Sequence, residues 1–155
     1  MRFRQRGFTL VEILVVSAIV GVILAIAAPA LKDGHVRVSS RETTAVLEMR
    51  SVVRAQSQYR SRFGKYAASL DDLAPPGSGR ATGPRAAGLI PANLASPQKE
   101  GYLFAMVLTR SGYALLGSPR IYALDGRRTF YVNQDGVVHE SLGDHPASAD
   151  SPILK

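Results

Sequence analysis

The chain lacks the residues from which cross-links and redox or metal centres are usually built. It has 155 residues and no cysteine, so no disulfide can cross-link the fold and no thiolate can bind zinc. The three histidines are scattered, without the spacing of a zinc-binding helix. Six tyrosines, five phenylalanines and no tryptophan are too few aromatic residues to support electron transfer. Neither a nucleophile elbow nor a phosphate-binding glycine loop is present, and we expect neither an enzyme nor a cofactor.

Charge is scarce over one long stretch near the start of the chain. Residues 8–31 contain a single charged member, Glu12. As a helix this stretch is about 36 Å long, enough to cross a bilayer core of about 30 Å. A charge at the centre of such a helix costs about 2.5–3.5 kcal/mol, and less toward an end, so Glu12 needs a partner. The pattern predicts a transmembrane helix with a functional carboxylate near its start.

A short basic leader precedes this stretch. Residues 1–7 contain three arginines, and the bias of positive charge toward the cytoplasm predicts that this end stays inside while the rest is translocated. A signal peptidase would cut at Ala25-Ile26-Ala27 or Ala28-Pro29-Ala30, where small residues form candidate cleavage sites. Alternatively, the chain keeps the segment uncut as an anchor, or is cut after Gly7 and retains the apolar helix.

The boundary between the leader and the apolar stretch carries a specific motif. Arg6-Gly7-Phe8-Thr9-Leu10-Val11-Glu12 resembles the N-terminal signal of type IV pilins and type II secretion pseudopilins, in which a glycine, a phenylalanine and a glutamate head an apolar helix. The resemblance implies that a prepilin peptidase cleaves between Gly7 and Phe8 and methylates the new amino terminus of Phe8. Gly21 and Pro29 lie where this family often has helix-weakening residues, and proline lacks the N–H that a helix interior uses.

Cleavage after Gly7 would give Glu12 a candidate partner. The new ammonium on Phe8 would lie one helical turn from Glu12, about 6 Å along the axis. The carboxylate can neutralise its own amine, or the amine of a neighbouring copy displaced along the helix, and either charge is costly alone in an apolar medium. The resemblance implies the second pairing, in which Glu12 sets the register of a homo-oligomeric helical filament.

The resemblance also implies a location and a set of partners. The chain would cross the inner membrane once, with its N-terminus cytoplasmic and its C-terminal domain periplasmic, and would then enter a surface pilus or a periplasmic pseudopilus. Its partners would be copies of itself, the prepilin peptidase, and an assembly platform driven by a cytoplasmic ATPase. The alternative from a different class is an exported or membrane-anchored binding domain with an ordinary signal sequence.

DNA is a further candidate partner. Tyr59 and Tyr66 lie near Arg60, Arg62 and Lys65 in the sequence, and aromatic residues beside basic ones suit nucleic acid. No recognised DNA-binding motif includes them, however. A solvated helix face, or contacts with acidic groups on adjacent subunits, accounts for the arginines more simply.

A calcium site is the one metal site that the resemblance raises, because some type II secretion pseudopilins bind calcium near the C-terminus. Asp144, His145 and Asp150 are the candidate ligands here. The acidic residues are few, and the characteristic loop of that group is not recognisable. We therefore expect no metal.

Beyond the apolar stretch, the pattern predicts an amphipathic helix. We expect a bend at 32–35 and then a helix over 36–63, with Gly64 as its C-cap. Residues three or four positions apart form its apolar face: Ala45, Met49, Val52, Gln56, Tyr59 and Phe63. Together with residues 8–31, this helix would form an N-terminal spine whose second half packs on a small sheet.

The C-terminal half predicts a loop followed by a sheet. Proline and glycine are frequent over 74–100, which is typical of a loop, and we expect Leu89, Ile90 and Leu94 to fix it to the core and 77–87 to be its mobile tip. Four strands are expected, at 102–109, 113–117, 129–133 and 137–140.

The predicted fold is α+β, a long helical spine on an antiparallel meander of about four strands. Its predicted divisions are a leader (1–7), a membrane or filament-core helix (8–31), an amphipathic half of the spine (32–63), and a loop and sheet domain (64–155). Residues 142–155 are polar and are expected to form a loose tail.

Overall fold

The computed structural model describes the backbone of residues 10–155 and the side chains of residues 13–20 and 37–155. The chain divides into two compact units, Met1–Val36 and Arg37–Lys155. We refer to the second as the folded unit.

The first element is the helix α1, Leu10–Phe63, which has 54 residues. Its backbone stays helical through 32–35, where a bend is predicted from the sequence. The reason is that Gly34 is a single glycine, which costs a helix only about 1 kcal/mol relative to alanine, and no proline accompanies it there. The expectation of a separate helix beginning at residue 36 is therefore wrong.

Gly64 ends α1, as predicted. Its φ of 73° lies in the left-handed region, and its N–H donates to the carbonyl of Arg60 at 2.8 Å. Glycine favours this conformation because it has no Cβ to clash with the backbone. Arg60 and Arg62 occupy the last turn, where the carbonyl end of the helix favours positive charge.

The apolar face of α1 within the folded unit is buried as the spacing predicts. Its members from residue 45 to 59 are at most 2 % exposed, and Phe63 is partly buried against the same core: Ala45, Met49, Val52, Gln56, Tyr59 and Phe63. Strand residues complete this core: Tyr102, Phe104, Tyr113, Leu115, Phe130 and Val132. At Gly117, a Cβ would lie 3.1 Å from the sulfur of Met49, so a glycine lets the sheet approach the helix closely.

Five antiparallel strands form one sheet in the order of the sequence. They are β1 (Gln98–Lys99), β2 (Tyr102–Leu108), β3 (Tyr113–Pro119), β4 (Arg128–Asn133) and β5 (His139–Leu142). The fold is α+β, and the meander has five strands rather than the predicted four. The additional strand, β1, has only two residues, too few for an alternating pattern to appear in the sequence.

Two short helices lie between α1 and the sheet. α2 (Leu70–Leu73) begins at a capping box, in which the Ser69 hydroxyl accepts from the Asp72 N–H and the Asp72 carboxylate accepts from the Ser69 N–H. α3 (Ala92–Ala95) lies within the predicted loop. Ile90 and Leu94 are buried and Leu89 is partly buried, which confirms that they fix this segment to the core.

The C-terminal segment is not a loose tail, and that prediction is wrong. The N–H of Leu154 donates to the carbonyl of Val138 at 2.9 Å, and the N–H of Glu140 donates to the carbonyl of Pro152 at 2.8 Å. The segment thus pairs with the outer edge of the sheet. Serine, aspartate and proline mark 142–155 as irregular, but they do not prevent backbone groups from satisfying an open edge.

A buried glutamine joins α1 to the segment that follows it. The side chain of Gln56 is fully buried, and its amide pairs with one peptide unit in both directions. Its Nε2 donates to the carbonyl of Ala67 at 3.1 Å, and its Oε1 accepts from the N–H of Ala67 at 2.9 Å. Ala67 is itself buried, so no water can replace the glutamine.

We expect Gln56→Leu to destabilise the folded unit by about 3 kcal/mol, because it leaves a buried N–H and a buried C=O of Ala67 without partners. Denaturant unfolding followed by circular dichroism measures this loss. Gln58→Leu, on the exposed side of the same helix, is the matched control and should change the free energy of unfolding by less than about 0.5 kcal/mol. Equal stabilities of the two variants would contradict the role given to Gln56.

Three tyrosines of the core are held in their neutral form. Burial, followed by Tyr66 and Asp135, raises the pKa of Tyr113 from 10.0 to about 12. Burial also raises the pKa of Tyr102, with Glu42 adding to it, and the pKa of Tyr59. Since the folded state holds these protons more tightly than the unfolded chain, their contribution to stability is present below pH 10 and is lost above it.

We expect the folded unit to lose stability steeply as the pH rises from about 10 to about 12, with Tyr113 accounting for about 2 kcal/mol of the loss. Tyr113→Phe should reduce the pH dependence of the unfolding free energy over this interval, because the ionisable group is gone. An unchanged pH dependence in Tyr113→Phe would contradict this assignment. Tyrosinate absorbance and denaturant unfolding at each pH measure both effects.

Candidate functional site

The residues of the motif lie before the described part of the chain or in its first few positions. Gly7 and Phe8 lie outside the described residues. Glu12 lies in the first turns of α1, and its side chain also lies outside them. The cleavage site and the pairing of Glu12 therefore stay predictions.

Gly21 and Pro29 are both within the helical backbone of α1. A proline has no N–H to donate to the carbonyl four residues earlier, and a glycine lowers the helix propensity of its turn. Their side-chain surroundings lie outside the described residues. The helix-weakening role assigned to them stays a prediction.

The described part of the apolar stretch, residues 13–20, is exposed throughout. Its large apolar side chains are between 47 % and 61 % exposed: Ile13, Leu14, Val15, Val16, Ile19 and Val20. The one hydroxyl among them, on Ser17, donates to the carbonyl of Leu14 at 2.9 Å and is thereby satisfied within the helix. The apolar residues follow no single stripe, so the surface can be covered from any side.

Covering this surface would be strongly favourable. Burying a large aliphatic side chain contributes about 1.5–3 kcal/mol, so six of them contribute on the order of 10 kcal/mol. Exposed apolar surface of this extent marks a site for lipid or for another protein. Within the part of the chain that the structure describes, no helix meets both the length and the hydropathy needed to cross a membrane.

The connection between β3 and β4 is tied to α1 by a buried carboxylate. Asp125 is 4 % exposed, and its Oδ1 accepts from Nη1 of Arg41 at 2.7 Å. Its Oδ2 faces Nε of Arg120 at 3.5 Å. A Cβ at Gly101 would lie 2.9 Å from Oδ1 of Asp125, so glycine is required there for the carboxylate to fit. Asp125 therefore holds the connection in one place on the helix.

A second set of contacts joins the same connection to Glu42. The Oε1 of Glu42 accepts from the N–H of Arg127 at 2.7 Å, and its Oε2 lies 3.5 Å from Nε of Arg128. Arg128 also donates through Nη1 to Oε2 of Glu140 at 2.8 Å. Farther along α1, Glu48 pairs with Lys99 of β1. Several charged positions of α1 are thus used in packing the folded unit rather than left to solvent.

This connection contains an exposed apolar turn that sequence reasoning did not single out. Ile121, Tyr122 and Leu124 are 47 %, 47 % and 61 % exposed. The signal that points to it is an apolar run bounded by Arg120 on one side and by Asp125 with two arginines on the other. In the sequence, residues 121–124 fall between the predicted strands 113–117 and 129–133, and this position gives no reason to expect exposed side chains.

The aromatic residues of the DNA hypothesis are engaged within the protein. Tyr59 is buried, and its hydroxyl donates to the carbonyl of Pro84 at 2.6 Å. The ring of Tyr66 packs on Tyr113 with a centroid distance of 5.2 Å, while its hydroxyl accepts from Nη1 of Arg60 at 2.9 Å. Tyr59 accordingly presents no face on which a base could stack.

Among the described residues, no group of three or more histidine, aspartate or glutamate side chains could hold a metal ion. Asp144 and His145 are both exposed and 3.8 Å apart. The backbone N–H of Asp150 donates to the hydroxyl of Ser148.

Comparison with known proteins bears on the N-terminal segment. A family model described as the prokaryotic N-terminal methylation motif matches residues 2–28, which include Gly7, Phe8 and Glu12. No curated protein and no solved structure matches the chain. The resemblance seen in the sequence from Arg6 to Glu12 is confirmed. The chain carries the N-terminal methylation motif that is the signature of type IV pilins and pseudopilins, a structural group whose members prepilin peptidase processes.

Proposed function

We propose that the chain is a structural subunit of a type IV pilus-like filament. Prepilin peptidase cuts it between Gly7 and Phe8 and methylates the amino group of Phe8. The helix over 8–31 first holds the subunit in the inner membrane, with the folded unit in the periplasm. An assembly platform driven by a cytoplasmic ATPase then moves the subunit into a filament, where the same helix packs among identical helices.

The motif over residues 2–28 is the observation that carries this proposal. The motif supports a processing site ahead of α1. The described side chains of that helix support the next step. Residues 13–20 expose apolar side chains on all sides of the helix, as expected of a surface that lipid covers first and neighbouring helices cover later.

Glu12 gives the proposed filament its register. In a helical core made of apolar side chains, neighbouring helices could slide along one another with little change in free energy. A carboxylate and an amine buried together oppose such sliding, because separating them leaves two unpaired charges in a medium of low polarity. Removing one partner of a buried ion pair costs about 3–5 kcal/mol.

Gly21 and Pro29 give the same helix two positions at which it can be distorted at low cost. In this proposal the segment between them can extend or melt when the subunit leaves the bilayer or when the filament is pulled. The neighbouring helices of the filament would then satisfy or bury the backbone groups that are released.

The proposal includes both kinds of protein that carry the motif, the type IV pilins and the type II secretion pseudopilins. A type II secretion pseudopilin would form a short periplasmic filament, and a pilin would form a long surface fibre. Electron microscopy of sheared cells separates these two. An exported or anchored binding domain with an ordinary signal sequence is the alternative from another class, and the mature N-terminus distinguishes it.

We expect the mature protein to begin with N-methylated Phe8 when it is expressed with its prepilin peptidase, as measured by intact-mass and N-terminal peptide mass spectrometry. Gly7→Val should leave the seven-residue leader in place, because a branched side chain replaces the glycine that lets the scissile backbone approach the enzyme closely. Gln5→Ala, in the same leader, is the matched control and should be processed normally.

A mature terminus after Ala27 or Ala30 would contradict the proposal and support an ordinary signal peptide. An intact Met1 in the unsubstituted chain, despite active peptidase, would support a plain anchor instead.

We expect Glu12→Leu to be cleaved and methylated normally but to reduce the sheared filament fraction by at least tenfold, because each subunit would add an unpaired buried amine costing about 3–5 kcal/mol. Immunoblots of the sheared and membrane fractions measure the filament yield against the pool of processed subunit. Glu12→Asp keeps the charge on a side chain one methylene shorter and should assemble better than Glu12→Leu. Normal filament yield from Glu12→Leu would remove the register role.

A further inference from the structure

The exposed apolar turn within Arg120–Arg128 is a second surface that packing inside the folded unit does not explain. We define the apolar turn as Ile121, Tyr122, Ala123 and Leu124. Its three large side chains are about half exposed or more, although Asp125 and Gly126 directly after them are buried. Large apolar residues grouped at a surface in this way mark a place where another surface docks.

Backbone hydrogen bonds and an ion pair fix the conformation of the apolar turn. The N–H of Asp125 donates to the carbonyl of Ile121 at 2.9 Å, and the N–H of Ala123 donates to the carbonyl of Gly126 at 2.8 Å. Ala123 takes a φ of 66°, a conformation that costs a residue with a Cβ about 1 kcal/mol. The ion pair between Asp125 and Arg41 anchors the base of the turn, so its tip carries the apolar side chains outward.

Basic side chains flank the apolar turn on both sides. Arg120, Arg127 and Arg128 are exposed. The only acidic residue between them, Asp125, is buried against Arg41 and lies 3.5 Å from Nε of Arg120. Arg128 is shared with Glu42 and Glu140. Within the described residues, the Arg127 side chain makes no ion pair, and it is free to meet an anionic group. Apolar and aromatic side chains bordered by arginines match the chemistry of a membrane interface with anionic phospholipids.

The place of the apolar turn in the chain favours lipid over other occupants. The carbonyl of Leu124 accepts from Nη1 of Arg41 in α1, near the first residues of the folded unit. Arg41 follows Leu31, the last residue of the apolar stretch, by only ten positions. Over ten positions the chain spans at most about 36 Å, which keeps the turn within reach of the bilayer surface in an anchored subunit.

We infer that the apolar turn docks on the periplasmic surface of the bilayer while the subunit waits in the membrane. Ile121, Tyr122 and Leu124 enter the boundary between headgroups and acyl chains, and Arg120 and Arg127 meet the phosphates of anionic lipids. The inference rests on the membrane-anchored state of the proposed function. Its role is to hold the folded unit against the bilayer until assembly begins, when leaving the membrane releases the turn.

The chain has no tryptophan, so a single introduced tryptophan reports on one position. The full chain carrying Tyr122→Trp is reconstituted in nanodiscs of phosphatidylglycerol and phosphatidylcholine, with and without lipids brominated near the top of the acyl chains. Leu108→Trp is the matched control: Leu108 is 51 % exposed, but it lies at the opposite end of β2 and β3 from the apolar turn. Circular dichroism verifies that both variants are folded.

We expect brominated lipid to quench the Tyr122→Trp variant several-fold more than the Leu108→Trp variant, since an interfacial side chain enters the headgroup–acyl boundary by about 5–10 Å. Emission from the Tyr122→Trp variant should also shift to shorter wavelength, and both effects should weaken when the discs contain phosphatidylcholine alone. Adding Leu124→Gln to this variant should lower its quenching several-fold, whereas adding Val107→Gln, at an exposed position near the opposite end of β2, should not.

Incorporation into nanodiscs without quenching of the Tyr122→Trp variant would overturn the inference and leave the proposed function intact. A blue shift without quenching, which grows with the number of chains per disc, would overturn it in favour of docking on a second copy of the chain. Failure of the chain to enter the discs at all would overturn the membrane-anchored state, and the inference with it.

Discussion

The folded unit depends on covering the inner face of α1. A helix with a continuous apolar face is only marginally stable in water, and its stability comes from packing that face against another element. Here the sheet supplies the cover, through Tyr102, Tyr113, Leu115, Phe130 and Val132. The face is not wholly apolar, because Gln56 lies in its centre. Gln56 pairs with the Ala67 peptide, and these hydrogen bonds hold the segment after α1 against the helix.

Local patterns made much of this arrangement predictable. The face from Ala45 to Tyr59 follows from helical spacing, and Gly64 follows from the conformational freedom that a helix end requires. The four longer strands lie in or beside apolar and aromatic runs that turn residues separate. The motif from Arg6 to Glu12 was also predictable, since its meaning resides in a few adjacent residues. All of these signals are local in the sequence.

The features that escaped prediction depend on contacts distant in the sequence. β1 is too short to show a period, and it exists because Lys99 and Gln98 pair with the start of β2. The C-terminal segment pairs through backbone groups. Every residue has these groups, so the amino-acid composition does not predict the pairing. The exposure of the apolar turn follows from the burial of Asp125 beside it, which the sequence does not reveal. The same holds for Gln56, whose polar side chain is unremarkable until Ala67 is found beside it.

The closure of the sheet by the C-terminal segment has a consequence for crowding. An open strand edge is a template on which an identical chain can add a strand and start an aggregate. In this fold the backbone groups of Val138 and Glu140 are already taken by Leu154 and Pro152. Copies brought side by side at high local density meet, at these two residues, backbone groups that are already hydrogen-bonded. Their association there must depend on side-chain complementarity, which is specific, rather than on strand addition, which is not.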